Sequence, residues 1–465
     1  MKETDISQST PKTGDLLVVF TAGIGLFLST LDSGMINIAL PTLSQTFHSS
    51  LTTMAWTVTL YSLTLTGTII IFGRLSDRFG RLRIYSLGLI LFSVASVCCG
   101  FSRTAGQLIA FRALQGIGAA MLQATAIAII TTTIPEKRRS TALASLAVIM
   151  GIGPVLGPSI GGVIISLGGW PWMFWINLPI AAAGLVGCRS LSVVITEKHS
   201  SIELHIKGNL LLSFSILCLL QGFSTWSSTG FFSPWTYGSF GAFIVLFLGF
   251  VVYELHVKFP IIDLRLFRKG AFTAPILAIF IFGGATSIGF IVPPYFLERV
   301  ACLEPWKAGL VNLFGPLGLV LCSSVSARLI PHWGNTRMML KGMFAMFISY
   351  IVLGQMQANW SPWVIAAFMF LYGLGGGLFL TPNMKSIMES VGQEIQGTIG
   401  AVQRMVQNLG IAIYTAIAIV LIPGHSSTGT ADLLAGLQRS WDFAALSILA
   451  GILVFLGNRR NSKSS

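Results

Sequence analysis

Apolar runs of one recurring length set the fold class of this chain before any motif is considered. A helix needs about 20 predominantly apolar residues to cross a bilayer, and the sequence meets that requirement fourteen times. The runs lie at approximately 15–38, 52–72, 84–102, 106–132, 140–166, 171–190, 208–224, 237–256, 271–297, 306–328, 337–357, 361–384, 398–422 and 441–457. In lipid every backbone N–H and C=O must find its partner within the chain, and runs of this length do so as helices. The expected fold is an all-α polytopic membrane protein. Composition agrees: of 465 residues, 53% are hydrophobic and 10% charged, against about 25% charged in soluble domains. The first run starts near Asp15 and exceeds a signal-peptide core, so it is expected to remain as a helix.

A net charge of +13 would suit a nucleic acid, but the cations sit in short joints between the runs. An even number of spans puts both termini on one side, and all but six of the 29 lysines and arginines fall there. Arg103, Arg299, Lys307 and Arg439 fall on the other side; Arg112 and Arg404 fall within runs. Lysine and arginine mark the cytoplasmic face. Both termini are therefore expected in the cytoplasm, the membrane is expected to be the cytoplasmic (inner) one, and no nucleic acid partner is expected. The six cysteines form no C-x-x-C pair and read as small apolar packing residues, without a metal or disulfide framework.

The joint at 73–83, Gly-Arg-Leu-Ser-Asp-Arg-Phe-Gly-Arg-Leu-Arg, packs Arg74, Arg78, Arg81 and Arg83 around one acid, Asp77. Topology alone explains the arginines but not Gly73, Asp77 and Gly80. A turn this short is expected to hold two helix ends together. Residues 327–337 echo it, with Arg328, Leu329, Gly334 and Arg337 in register and Pro331 in place of the acid. The copies follow the second and tenth spans. If the seventh and eighth spans are an inserted pair, the last six repeat the first six. The expected domains are 1–190, a six-helix half; 191–270, two additional helices with their linkers; and 271–465, a second six-helix half.

Few residues within the runs can carry chemistry. Asp32, in Leu31-Asp-Ser-Gly-Met-Ile-Asn, is the acid deepest in a span. A carboxyl facing lipid is costly, so Asp32 is expected to face an internal cavity. There it could exchange a proton for a cationic substrate; the alternative is a structural acid bonded to a broken helix. Arg112 keeps its charge when buried and needs a partner; Gln115 lies at helical spacing from it. It could bias the protonation of Asp32, or snorkel to an interface. In span 5, Gly153, Gly157 and Gly161 recur every four residues, with Pro154, Pro158 and Gly162 beside them. The stripe admits another helix closely, and the prolines bend it. Arg404 shares the polar span 13 with Gln403, Gln407 and Asn408, and could line a cavity or close a gate. A substrate cavity is expected to be apolar and aromatic with few polar anchors; candidates are Asn37, Trp56, Tyr61, Gln115, Phe282, Asn312 and Arg404. Neither metal cluster, phosphate loop nor nucleophile constellation is present, so an enzyme is not expected.

These stretches together resemble the major facilitator superfamily, and within it the fourteen-span drug:proton antiporters. Residues 73–83 resemble its motif A, 108–120 its motif B with Arg112 as the arginine, and 151–162 its antiporter motif C. Residues 31–41 are similar to its first-helix motif, and 254–272 to the loop leaving the extra helix pair. The resemblance implies two six-helix halves plus two central helices, and proton-driven efflux of lipophilic drugs by alternating access. It implies Asp32 and Arg112 as the coupling residues, and Asp77 with its arginines as a cytoplasmic latch. Gly34 stands where the family usually has threonine. No acid lies deep in the last six spans, which implies monocationic or neutral amphiphilic substrates. No cofactor beyond the proton gradient is implied, and a monomer is expected. A proton-coupled carrier of one metabolite, or a lipid or fatty-acid translocator, is the alternative on the same fold.

Overall fold

The computed structural model describes residues 13–49, 51–194, 206–229, 232–257, 264–268, 270–392, 395–422 and 430–461. All regular elements among them are helical. Among the described residues, thirteen segments are long and apolar enough to cross a membrane. Glu136–Gly168 spans 33 residues and also contains side chains outside the described residues.

The chain divides into two compact units. The first, Met1–Ile202 with Val391–Ala401, holds α1 (Thr13–Thr46), α2 (Leu51–Phe79), α3 (Arg81–Gly100), α4 (Ala105–Thr133), α5 (Glu136–Gly168), α6 (Pro171–Trp175) and α7 (Asn177–Val194). Helix α1 lies along α5 and also meets α4 and α7, while α4 packs on α2 and α3. Helix α4 is the most enclosed of the spans, which is why it can carry polar groups that lipid would reject. The α1–α5 seam is closed by glycine: a Cβ on Gly157 would stand 2.6 Å from the Cα of Gly34 and 2.9 Å from the Leu31 carbonyl oxygen. Backbones this close are held by van der Waals packing that any side chain would forfeit. At the start of both helices Arg138 is paired with Asp15.

The second unit, Glu203–Ser390 with Val402–Ser465, holds α8 (Ile206–Thr229), α9 (Pro234–His256), α10 (Gly270–Tyr295), α11 (Pro305–Asn312), α12 (Phe314–Trp333), α13 (Asn335–Gly354), α14 (Pro362–Glu389), most of α15 (Gln396–Leu421) and α16 (Thr430–Asn461). Helices α8 and α9 pack on each other, with Phe223 edge-on to Phe240 at 5.3 Å. Helices α12 and α13 lie on α14, and α16 lies on α10 and α13.

Several boundaries depart from the hydropathy reading. The 73–83 joint shrinks to one residue: α2 runs through Phe79, α3 begins at Arg81, and Gly80 alone leaves the helix at φ +100°. Charge does not stop a helix, but this left-handed backbone does, and it favours glycine. The repeat copy turns the same way at Gly334, φ +76°. The run at 171–190 carries a turn at Ile176 between α6 and α7, and that at 306–328 one at Leu313 between α11 and α12; both residues keep right-handed helical backbone. Helix α10 ends in a π-turn over Phe296–Val300, and α16 starts at Thr430, well before the apolar run it contains.

Candidate functional site

The first unit encloses a charged side-chain network built from five helices. Asp32 stands mid-way along α1 and is 2% exposed; Arg112 on α4 is 0% exposed. Arg112 Nη1 donates to Asp32 Oδ2 at 2.5 Å and to Gln115 Oε1 at 2.6 Å. Its Nε donates to the Thr57 carbonyl on α2 at 3.1 Å. Nη2 has no hydrogen-bond acceptor, but the guanidinium carbon lies 4.1 Å from the Tyr61 ring centre and 6.0 Å from that of Phe174. Those aromatic faces give the enclosed cation part of what water would have given it.

The other carboxylate oxygen is held by two amides. Gln115 Nε2 donates to Asp32 Oδ1 at 2.9 Å and to Ser96 Oγ on α3 at 2.9 Å. Asn177 Nδ2, from the first residue of α7, donates to the same two oxygens at 3.1 and 3.4 Å. The result is a closed ring through Asp32, Gln115, Ser96 and Asn177. Above it, toward the end where α2, α4 and α6 begin, Leu43, Met54, Leu108, Met173 and Phe174 form an apolar seal. An ion pair in such a place is roughly neutral for stability, because desolvation offsets attraction, yet losing one partner costs about 3–5 kcal/mol.

The charged joint forms a second cluster. Asp77 accepts from Arg81 Nη2 at 2.9 Å, from the backbone N–H groups of Gly397 at 2.9 Å and Thr398 at 2.7 Å, and from Thr398 Oγ1 at 2.8 Å. It therefore caps the first turn of α15, where unpaired N–H groups and the helix dipole favour a carboxylate. Gly73 permits the approach: a Cβ there would lie 2.5 Å from the Cβ of Ala401 and 2.9 Å from the Gly397 carbonyl oxygen. Arg78 is exposed, with its guanidinium 5.4 Å from the Phe79 ring centre.

The remaining candidates disperse. Gly153, Gly157 and Gly161 line the seam with α1 opposite Thr30, Gly34 and Met35, while Gly162 stands slightly aside of it. Tyr61 and Gln115 are sealed in the Asp32 network. Trp56 is exposed, Phe282 stacks on Phe379 at 5.1 Å, and Asn312 is half-buried at the end of α11. Arg404 is buried in α15 and donates to Gln407 Oε1 at 2.8 Å. The side chains of Asn37, Pro154 and Pro158, and much of the 254–272 loop, lie outside the described residues. Sequence reasoning missed Asn177, Ser96 and Thr57. An amide in an apolar run was a usable signal for Asn177, since such groups in lipid need partners; Thr57 contributes only its carbonyl, which no side-chain pattern reveals.

A polytopic helical bundle that walls a charged network away from lipid is the build of a membrane transporter. The sequence matches the Major Facilitator Superfamily over residues 22–415, and the chain belongs to that family. It is 30% identical over 458 residues to the riboflavin transporter RibZ of Clostridioides difficile, covering 96% of this chain and 98% of that one. It is 29% identical over 459 residues to a methylenomycin A resistance protein of Bacillus subtilis, covering 97% and 96%. The fold is shared with the crystal structure of the human organic anion transporter MFSD10, at a TM-score of 0.67 and 17% identity over 96% of this chain and 100% of that one. The protein is a multi-pass membrane transporter of small molecules, not an enzyme.

Proposed function

We propose that this transporter exports lipophilic monocations or neutral amphiphiles across the cytoplasmic membrane in exchange for protons. In this reading fourteen helices span the membrane, both termini are cytoplasmic, and the monomer works by alternating access of the blocks 1–190 and 271–465, with 191–270 as an added pair. The observation that carries it is the enclosed Asp32–Arg112 pair. Burying it gains little stability, and ionisable groups at membrane depth serve transport. Both Asp32 oxygens are engaged by protein donors, which favours the proton alone visiting this carboxyl, with substrate bound elsewhere. Protonation weakens the pull on Arg112 and loosens α1 from α4. The glycine seam then lets α1 shift against α5, and Asp77 steadies the start of α15 in one state of the cycle. A proton-coupled carrier of one planar metabolite is the second reading, favoured by the likeness to a riboflavin transporter.

The test uses purified protein in liposomes loaded with a pH-sensitive dye. Under an imposed proton gradient, ethidium and riboflavin are added separately to wild type and Asp32→Asn. Proton movement opposite to ethidium, lost in the variant, is the expected result. A response to riboflavin alone selects the second reading, and full coupling in Asp32→Asn removes Asp32 from the mechanism.

A further inference from the structure

Two amides reach Asp32, and only one of them is held at both ends. Gln115 is pinned, because its Oε1 accepts from Arg112 while its Nε2 donates to Asp32 and Ser96. Asn177 donates to the same pair of oxygens, but its own Oδ1 is enclosed with no hydrogen-bond partner, and the residue is 0% exposed. A buried acceptor in that condition is held in place by what the other end of the amide does.

An ionised carboxylate only accepts hydrogen bonds, whereas a protonated carboxyl also donates one. A proton from the aqueous phase that forms an O–H bond on Oδ1 turns the point where two N–H groups converge into a third donor. One amide must then present oxygen. Gln115 cannot turn without giving up Arg112. Asn177 can: half a turn about its Cβ–Cγ bond exchanges Nδ2 and Oδ1 and breaks nothing at the present Oδ1 position. The Ser96 hydroxyl, now accepting from both amides, can rotate to donate to the new oxygen. The half-turn gives up the two Asn177 Nδ2 bonds to Asp32 and Ser96. When the proton leaves Oδ1 for water both rotations reverse and these bonds re-form, and the O–H bond is the only covalent bond made or broken.

We propose that Asn177 reads the protonation state of Asp32, donating to the carboxylate and turning over to accept from the acid. It is a positioning residue, and it sits where a rotation can be passed on. Asn177 opens α7 directly after the turn at Ile176, and α6 on the other side of that turn carries Phe174, which faces the Arg112 guanidinium. The α6–α7 joint thus touches both members of the ion pair. The charged and titratable groups around Asp32 are Arg112 from α4, Tyr61 from α2 and Cys99 from α3. Helix α5 meets α1 through glycines, and α7 meets Asp32 through Asn177.

The inference rests on Asp32 as the proton site, and the two are separated by proton-induced infrared difference spectra of the full-length protein. Wild type is expected to show a carboxylic C=O band that Asp32→Asn lacks, together with an asparagine amide band that moves on isotope labelling of asparagine. Asn177→Ser should remove the amide band, and Asn177→Leu should raise the frequency of the carboxylic band and slow proton-driven efflux by about tenfold or more. A carboxylic band that survives Asp32→Asn overturns the proton-site reading and this inference with it. A band lost in Asp32→Asn, with no asparagine signal in labelled wild type, overturns the role of Asn177 alone, and that measurement needs no Asn177 variant to fold.

Discussion

Helices α3 and α13 are the same device built twice with opposite chemistry. Each is 20 residues long, follows a left-handed glycine and ends in glycine, so Gly80 pairs with Gly334 and Gly100 with Gly354. In that register Tyr350 is the counterpart of Ser96. Ser96 accepts from the two amides that hold Asp32. Tyr350 stacks on Tyr372 at 5.3 Å, lies 4.9 Å from Trp441, and donates to the Ala285 carbonyl at 2.8 Å. One unit keeps a charge pair at this level; the other fills it with rings. The turns diverge likewise. Asp77 reaches the start of α15, whereas Pro331 offers nothing, and Asn335 instead donates to Glu389 of α14 at 3.1 Å. Two copies of one backbone therefore need not do the same work. The first unit carries the Asp32–Arg112 pair and the Asp77 cap, and at the matching positions of α13 the second has rings and neutral contacts.

The two units differ most at the ion pair. Arg112→Ala leaves the Asp32 charge buried without a cation, and is expected to cost about 3–5 kcal/mol and abolish transport, read by thermal unfolding and liposome efflux. Asp32→Leu combined with Arg112→Met should recover the stability but not the proton coupling. Recovery of both would show that the charge pair is packing and nothing more.

Asp77→Asn should be next in size. It keeps one acceptor oxygen but takes the charge from the bonds to α15 and Arg81, at about 1.5–3 kcal/mol in total, and should slow efflux with little loss of substrate affinity. Pro331→Asp, its converse, should restore nothing in that background. A rescue would make the two turns interchangeable.

Gly80→Ala and Gly334→Ala test where the copies agree. Each forces an L side chain into a left-handed backbone at about 1–2 kcal/mol, and the two losses of thermal stability should match. The smallest effect belongs to Tyr350→Phe, which drops one neutral hydrogen bond at about 0.5–1.5 kcal/mol. Proton-coupled efflux should be unchanged; a change in coupling would extend the chargeable machinery into the second unit.

Much of this was legible in the residues themselves. Hydropathy is local, so the helical, membrane-spanning form and the repeated turn followed from the sequence, while thirteen described segments meet the membrane-crossing length and hydropathy against the fourteen expected. Asp32, Arg112 and Asp77 also stood out as isolated ionisable groups. The boundaries at Gly80, Ile176 and Leu313 were not legible, because cation-rich or apolar sequence is compatible with helix on both sides of each one. Nor were the partners. Asn177 lies 145 residues along the chain from Asp32, and Gly397 and Thr398 lie more than half the chain beyond Asp77.

Residue order alone was enough to put this chain in a membrane as helices and to leave three of its charges in need of company. Which company they found came from packing: Asp32 is closed on both oxygens, Asn177 keeps one atom unbonded, and Asp77 caps a helix. The reason is the range of the forces involved. Burial of apolar surface and backbone hydrogen bonding act residue by residue along a run, whereas a hydrogen-bond ring exists only once several helices have set their rotations against one another.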